Sequence, residues 1–276
     1  MIPKELCHYT KKDIAIEKIL YEGKIRFNQI GRTNDPKESL VNLSVSYFPA
    51  LGHKNAEGYY FLLSNEFQRI QKEEWKVLCM TMHSSKEKNQ DEITSKFRYG
   101  WNRPAMWAHY AENHSGVCII FDGNSLFENI KSDLSQHKLF PKKVSYKKPF
   151  TQTKYYDGFQ KIIKEQPEID NLRTEIRKHL KEKRNEYFFS KFSTWKDESE
   201  YRFLAHSTST DDEFVNIHGT IKSILVGSNF PNAYIPSIEK IAIKLNISAG
   251  KMLWVNGIPN PQFGSIHNSK KSKATK

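Results

Sequence analysis

The sequence predicts an α+β fold built on a mixed, largely antiparallel sheet with flanking helices. Three observations carry that expectation. Apolar runs of strand length recur along the whole chain, at Trp75–Met82, Gly116–Phe121, Glu200–Ala205 and Ile221–Val226. Segments with helical spacing of apolar residues lie between them. The two kinds of segment are mixed without strict strand–helix–strand alternation, which argues against a doubly wound parallel sheet. A chain of 276 residues suits one large domain or one domain with an insertion. We place a single α+β domain at 1–265, a charged helical insertion at about 154–191, and a disordered Ser/Lys tail at 266–276.

Taken in order, Thr10-Lys-Lys-Asp13 has the spacing of a capping box, and Ile14, Ile19 and Leu20 give the short helix after it an apolar side. Gly23 stands where such a helix ends, and Lys24–Phe27 alternates as a strand does. Asn34, Asp35 and Pro36 are turn chemistry. Residues 57–74 read as a helix and Trp75–Met82, apolar on both faces, as a central strand. A polar loop at 83–95 leads to a helix at Pro104–Ala111, begun by its proline. Gly116–Phe121 is a second central strand, ended by Asp122-Gly123, and Lys142–Tyr146 a third. In the charged region Ile169, Leu172, Ile176 and Leu180 repeat at helical spacing, with a break near Pro167. Two strands at Glu200–Ala205 and Ile221–Val226, a helix at Ala233–Leu245 and a last strand at Lys251–Val255 complete the chain.

Composition narrows the class. With 38% hydrophobic and 13% aromatic residues the chain can build a core, which excludes wholesale disorder. Three cysteines, Cys7, Cys79 and Cys118, sit beside apolar residues without paired spacing and read as reduced and buried, so a cytoplasmic location is expected. No apolar run has the length of a membrane span. The formal net charge of +12 favours contact with nucleic acid or another polyanion, and general solubility explains it as well. No His/Cys set has zinc spacing, no phosphate-cradling glycine loop occurs, and no metal is expected.

The residues with chemical potential fall in four places. Glu198 and Glu200, two apart on a strand beginning near Glu198, share a face, and their mutual repulsion demands a cation or donor. Of Lys191, Lys196 and Arg202, only Arg202 shares that alternating face; an ordinary ion pair among solvated acids is the plainer account. His8, Tyr9 and Thr10 precede a helix: His8 can donate a hydrogen bond to a ligand hydroxyl, while Thr10 can simply cap the helix. Tyr110 can stack on a flat ring, whereas Trp107 reads as helix packing, and His109 and His114, five apart, do not align as ligands. Asn34, Asp35 and Glu38 can line a pocket rim or merely form a turn.

His8-Tyr-Thr10, Asn34-Asp-Pro36 with Glu38, Met106–Ala111, Gly116–Phe121 and Trp195–Arg202 together resemble the bacterial family domain of unknown function 2971, over residues 6 to about 227. A looser resemblance is to the His-Tyr-Glu layout of ADP-ribosyltransferases. It implies a split sheet whose cleft holds NAD as substrate. It also implies His8 on the nicotinamide ribose with Thr10 beside it, and Tyr110 against nicotinamide. Glu200, or Glu198 in its place, would hold the ribose 2′-hydroxyl and steady the oxocarbenium ion. Tyr9, Asn34 and Arg202 complete the expected cofactor-binding set. The resemblance implies transfer of ADP-ribose to a nucleic acid or protein acceptor, in a toxin or phage-defence role. The alternative is a non-enzymatic nucleotide- or nucleic-acid-binding module acting as an antitoxin or regulator.

Overall fold

In the computed structural model the described residues are 1–39, 56–84, 95–147, 162, 165 and 167–264. The chain opens with β1 (Glu5–Thr10), a wide-turned π-helix (Ile14–Leu20) and β2 (Lys24–Gln29). After α1 (Ala56–Glu73) come β3 (Trp75–Met82), α2 (Pro104–His109), β4 (Val117–Asp122) and α3 (Gly123–Asp133). The strands β5 (Lys138–Lys143) and β6 (Ser145–Lys147) precede α4 (Ile169–Glu182) and β7 (Ser190–Phe192). The chain then runs through β8 (Glu200–His206), β9 (Glu213–Asn216), β10 (Ile221–Val226), α5 (Ile235–Leu245), β11 (Ser248–Val255) and β12 (Ile258–Phe263).

Ten strands form the main sheet, in the order β12-β11-β10-β4-β1-β3-β2-β9, with β8 against β3 and β5 against β8. Its pairs are antiparallel except β10 with β11, which α5 joins as a crossover; β6 and β7 form a separate parallel pair. The mixed, largely antiparallel α+β class follows from the apolar runs as expected. β3 and β4 are buried on both faces because helices or further strands cover each side.

The sheet divides the core. On one side Leu6, Leu78, Ile119 and Phe203 pack with Leu126 of α3 and Ile238 of α5. On the other, Trp75, Val77 and Leu204 meet Phe67 of α1 and Leu172, Ile176 and Leu180 of α4. The apolar stripe read from the charged region is thus a packing face of α4, while 154–161 and the tail at 266–276 lie outside the described residues. A third cluster gathers Tyr9, Trp107, Cys118 and Met252.

Several local expectations need correction. Thr10 ends β1, paired with Val117, and the helix starting after Asp13 has no side-chain cap. Asp122 does not end in a plain turn: its carboxylate accepts from the Ser125 amide at 2.9 Å and caps α3, which the periodicity did not suggest. The strand expected at Lys142–Tyr146 is split between β5 and β6, and β11 is followed by β12 in a closing hairpin.

Candidate functional site

The site originates in a fork of the sheet. Along one edge β3 pairs with β8 throughout, from Trp75 to Thr81. Along the other edge it is shared: β1 takes its end, at Thr81 and Met82, and β2 its start, at Lys76 and Val77. Among the described residues Leu78, Cys79 and Met80 have no ladder partner on that edge, so β1 and β2 splay apart there. A cleft of about 830 Å³ fills the gap, within the size range of ligand sites. Val77 to Thr81 line it in unbroken succession. A pocket on one face of a sheet would expose alternate residues only, so this one passes between the strands.

The near wall is built from β1 and α2. The left-handed run Glu112, Asn113 and His114 (φ 49°, 50° and 66°) turns the chain from α2 into β4, at about 1–2 kcal/mol per residue. Gly116 is required beside it, because a Cβ there would stand 2.4 Å from the Thr10 carbonyl. Lys12, 2.8 Å from Glu112, holds this turn to the start of the π-helix. The turn sets Tyr110 at the cleft.

The far wall carries a buried ion cluster. Arg202 is fully buried and spends all five N–H donors: on Glu200 (2.7 and 3.1 Å), on both oxygens of Glu38, and on the Phe188 carbonyl (2.6 Å). Lys191 of β7 lies 2.9 Å from Glu200 and 2.6 Å from Glu198. The Tyr110 hydroxyl donates to Glu198 at 2.5 Å, and the Glu200 amide donates to the Tyr146 hydroxyl at 2.7 Å. Thr33 donates to Glu38 at 2.8 Å, which ties the segment around Asn34 to the same cluster. With all five charged groups ionised, three carboxylates against two cations leave one net negative charge in a nearly dry wall.

Environment sets the titration of these groups. Burial alone would raise the Glu200 carboxyl, but Arg202 and Lys191 bring it down to about 2. Burial would lower Lys191, and the neighbouring carboxylates, Glu200 first, raise it instead. Tyr110 is raised by burial and by the Glu198 charge, so it stays a donor. Burial lowers His8. Its Nδ1 lies 3.4 Å from the Cys79 carbonyl, which can only accept, so in the neutral ring Nδ1 carries the proton. The remaining nitrogen, Nε2, is then an acceptor. In that tautomer Nε2 can accept from a hydroxyl but not donate to one, unlike the donor role expected of His8.

His8, Tyr9, Thr10, Asn34, Tyr110, Glu198 and Glu200 all line this one cleft. Two expected ligand contacts fall away. The Tyr9 hydroxyl is spent on the Gly100 carbonyl at 2.6 Å, and its ring packs edge-on to Trp107. Arg202, expected to touch the cofactor, stands behind Glu200 with no donor left, and its place is to hold the acids. The two acids do not alternate along one strand. Glu198 ends a 3-10 turn, Ser199 takes a left-handed φ of 44°, and the strand starts at Glu200. Nor are they solvated. Trp107 is core, as expected, and Asp35 is buried rather than on the rim. Among the described residues no His/Cys/Asp/Glu group assembles a metal site.

Sequence reasoning missed the central place of Lys191 and the role of Tyr146. A signal for Lys191 existed: a lysine inside Tyr187-Phe-Phe-Ser-Lys-Phe192 is set among residues that want burial, and a buried lysine needs a carboxylate. For Tyr146 there was none.

Residues 106–203 match the family described as protein of unknown function (DUF2971). That stretch contains most of α2, Tyr110 just after it, β4, and the segment from Lys191 to Arg202, while His8 and Asn34 lie outside it. Comparison with curated proteins and with solved structures gave no match, so the resemblance to ADP-ribosyltransferases has no support from relatives.

Proposed function

We propose that the cleft binds NAD as a substrate and cleaves its nicotinamide–ribose bond, passing ADP-ribose to a macromolecular acceptor, nucleic acid or protein, in a toxin or phage-defence setting. One observation carries this reading. Distant segments of the sequence place an acceptor imidazole (His8), a tyrosine (Tyr110) and a buried acid pair (Glu198, Glu200) around a single cleft of about 830 Å³. In the reaction the C1′–N bond breaks with its electron pair going to the nicotinamide nitrogen. Positive charge develops at C1′ and the ring oxygen. The acceptor's nucleophile then bonds to C1′ and releases its proton.

The carboxylates stabilise that charge because they are fixed in a medium of low polarity before the reaction begins. Their duties differ. Glu200 already accepts from Arg202 twice and from Lys191 once, whereas Glu198 has one donor on each oxygen. Glu198 therefore has more capacity to accept from a ribose hydroxyl, and Glu200 supplies fixed charge behind it. His8 Nε2 accepts from another ribose hydroxyl, and the Tyr110 ring lies against the leaving group.

The test incubates the whole protein with NAD labelled in the nicotinamide and adenylate halves, together with cell lysate. Free nicotinamide and a labelled acceptor are expected. Glu198→Gln and His8→Ala should each lower turnover at least 100-fold, more than any fall in melting temperature accounts for, while circular dichroism stays near wild type. Turnover unaffected by both variants ends the proposal. A second reading, a nucleotide- or nucleic-acid-binding antitoxin or regulator without catalysis, is favoured by the neutralisation of Glu200 by Lys191 and Arg202. NAD bound but never cleaved selects it.

A further inference from the structure

Beyond the acid cluster the cleft has a second end of different chemistry. On the β2–β9 ribbon Ile25, Phe27 and Val215 turn inward and are buried, at 1%, 0% and 0% exposure. The opposite face carries Lys24, Arg26 and Phe214, and all three line the cleft. Arg26 and Phe214 are register partners, so their side chains stand side by side on that face. Phe214 is 47% exposed, at a position where alternation alone would place a polar residue. Arg32 lines the cleft next to them.

The charges there are out of balance. Arg26 and Arg32 share a single carboxylate, Asp212, at 3.2 and 3.3 Å, each through one nitrogen. The rest of each guanidinium fork is uncommitted among the described residues, and Lys24 has no ion-pair partner among them. A solvent-facing aromatic ring beside two half-used guanidiniums fits a flat base joined to phosphate: the ring stacks and the forks chelate oxygen.

We propose that this β2–β9 face is the subsite for the adenine nucleotide half of the ligand, with the base on Phe214 and the phosphates on Arg26 and Arg32. It rests on the reading of the cleft as a dinucleotide site and adds which end holds which half. Glu200 pairs with Thr81, at one arm of the fork, and Asn28 with Val77, at the other. Leu78, Cys79 and Met80 lie between the arms, so the two pairings stand ~13 Å apart along β3.

Calorimetry on the intact protein with ADP and, separately, nicotinamide mononucleotide tests this assignment. ADP should bind, and Phe214→Ala and the double variant Arg26→Gln/Arg32→Gln should each weaken it at least tenfold. Phe214→Trp should retain it. Nicotinamide mononucleotide should stay within twofold of wild type in all three. ADP that fails to bind, ADP affinity unchanged in both weakening variants, or equal loss for both ligands would overturn the subsite. The expected ADP pattern without NAD cleavage supports the subsite and retires only the transferase reading.

Discussion

The molecule contains two networks made of the same groups in different settings. In the cleft wall Glu38, Glu198, Glu200, Lys191 and Arg202 are all under a tenth exposed. Between α1 and α4, Glu66 and Glu74 meet Arg69, Arg173 and Arg177 with pair distances of 2.8–3.3 Å, and these arginines are about a third exposed. Titration does not separate them: Glu74, which burial alone would raise, is brought to about 2 by His206 and Arg177, the same figure as Glu200. Setting does. The helix pairs fasten two elements, whereas the cleft cluster borders a ligand-sized space. A shifted carboxylate marks an ion network; only the adjoining cleft makes it a candidate site.

The largest effect is expected in the cleft wall. Arg202→Met leaves Glu38 and Glu200 buried with their main partner gone, which costs about 3–5 kcal/mol. Urea denaturation reads this directly, and a loss below about 1 kcal/mol would mean that water reaches the acids and that the wall is not dry.

Next comes a pH effect confined to the helix side. His179 of α4, buried against Tyr187 at 3.0 Å, is lowered by burial and by Lys183 from 6.5 to about 4. As the pH falls, the unfolded state takes up this proton first. Stability is therefore intact above about pH 6.5, declines through the interval to pH 4, and levels off below it, a loss on the order of 3 kcal/mol. Glu200 works at a lower window: its contribution is present above 4.5 and lost as pH falls through about 2. His179→Gln should flatten the upper window in denaturation series from pH 4 to 7. A slope that survives in this variant would place its origin elsewhere.

How far these differences were legible in the sequence follows from the range of each interaction. Strand and helix identities came from local periodicity, so β3, β4, β8 and the stripe Leu172, Ile176, Leu180 could be read. The candidate residues could be named because chemistry-bearing side chains flank those elements. Their geometry could not. The left-handed Ser199, the bridging of both acids by Lys191, and the reach of Glu38 to Arg202 across 164 residues depend on how strands assemble, not on neighbours in sequence. The Phe214 face was invisible for the same reason: a lone phenylalanine in Glu213–Asn216 has no meaning until β2 supplies Arg26 beside it.

A smaller change sharpens the cleft side. Tyr110→Phe keeps the ring and removes the donor to Glu198, a charge-assisted bond worth about 1.5–3 kcal/mol. Because the Tyr110 side chain is partly exposed, water repairs some of the loss, and a destabilisation of about 1 kcal/mol is expected in thermal melts. Nicotinamide release should fall by a larger factor than stability alone explains. If the two track each other, the hydroxyl is merely a fastener.

The smallest effect belongs to the exposed side of the helix network. Arg173 lies 2.9 Å from Glu66, and its guanidinium, by donating to that carboxyl, holds it low against burial, yet the arginine is 36% exposed. Screening by water and the entropy of fixing a long, flexible arginine offset most of the attraction, so Arg173→Ala should cost far less than Arg202→Met. Half-molar salt should shrink even that in denaturation experiments. It should leave the cost of Arg202→Met unchanged, because ions cannot enter the wall that Arg202 occupies. Equal salt sensitivity of the two variants would erase the distinction between the networks, and with it the reason for assigning chemistry to one and fastening to the other.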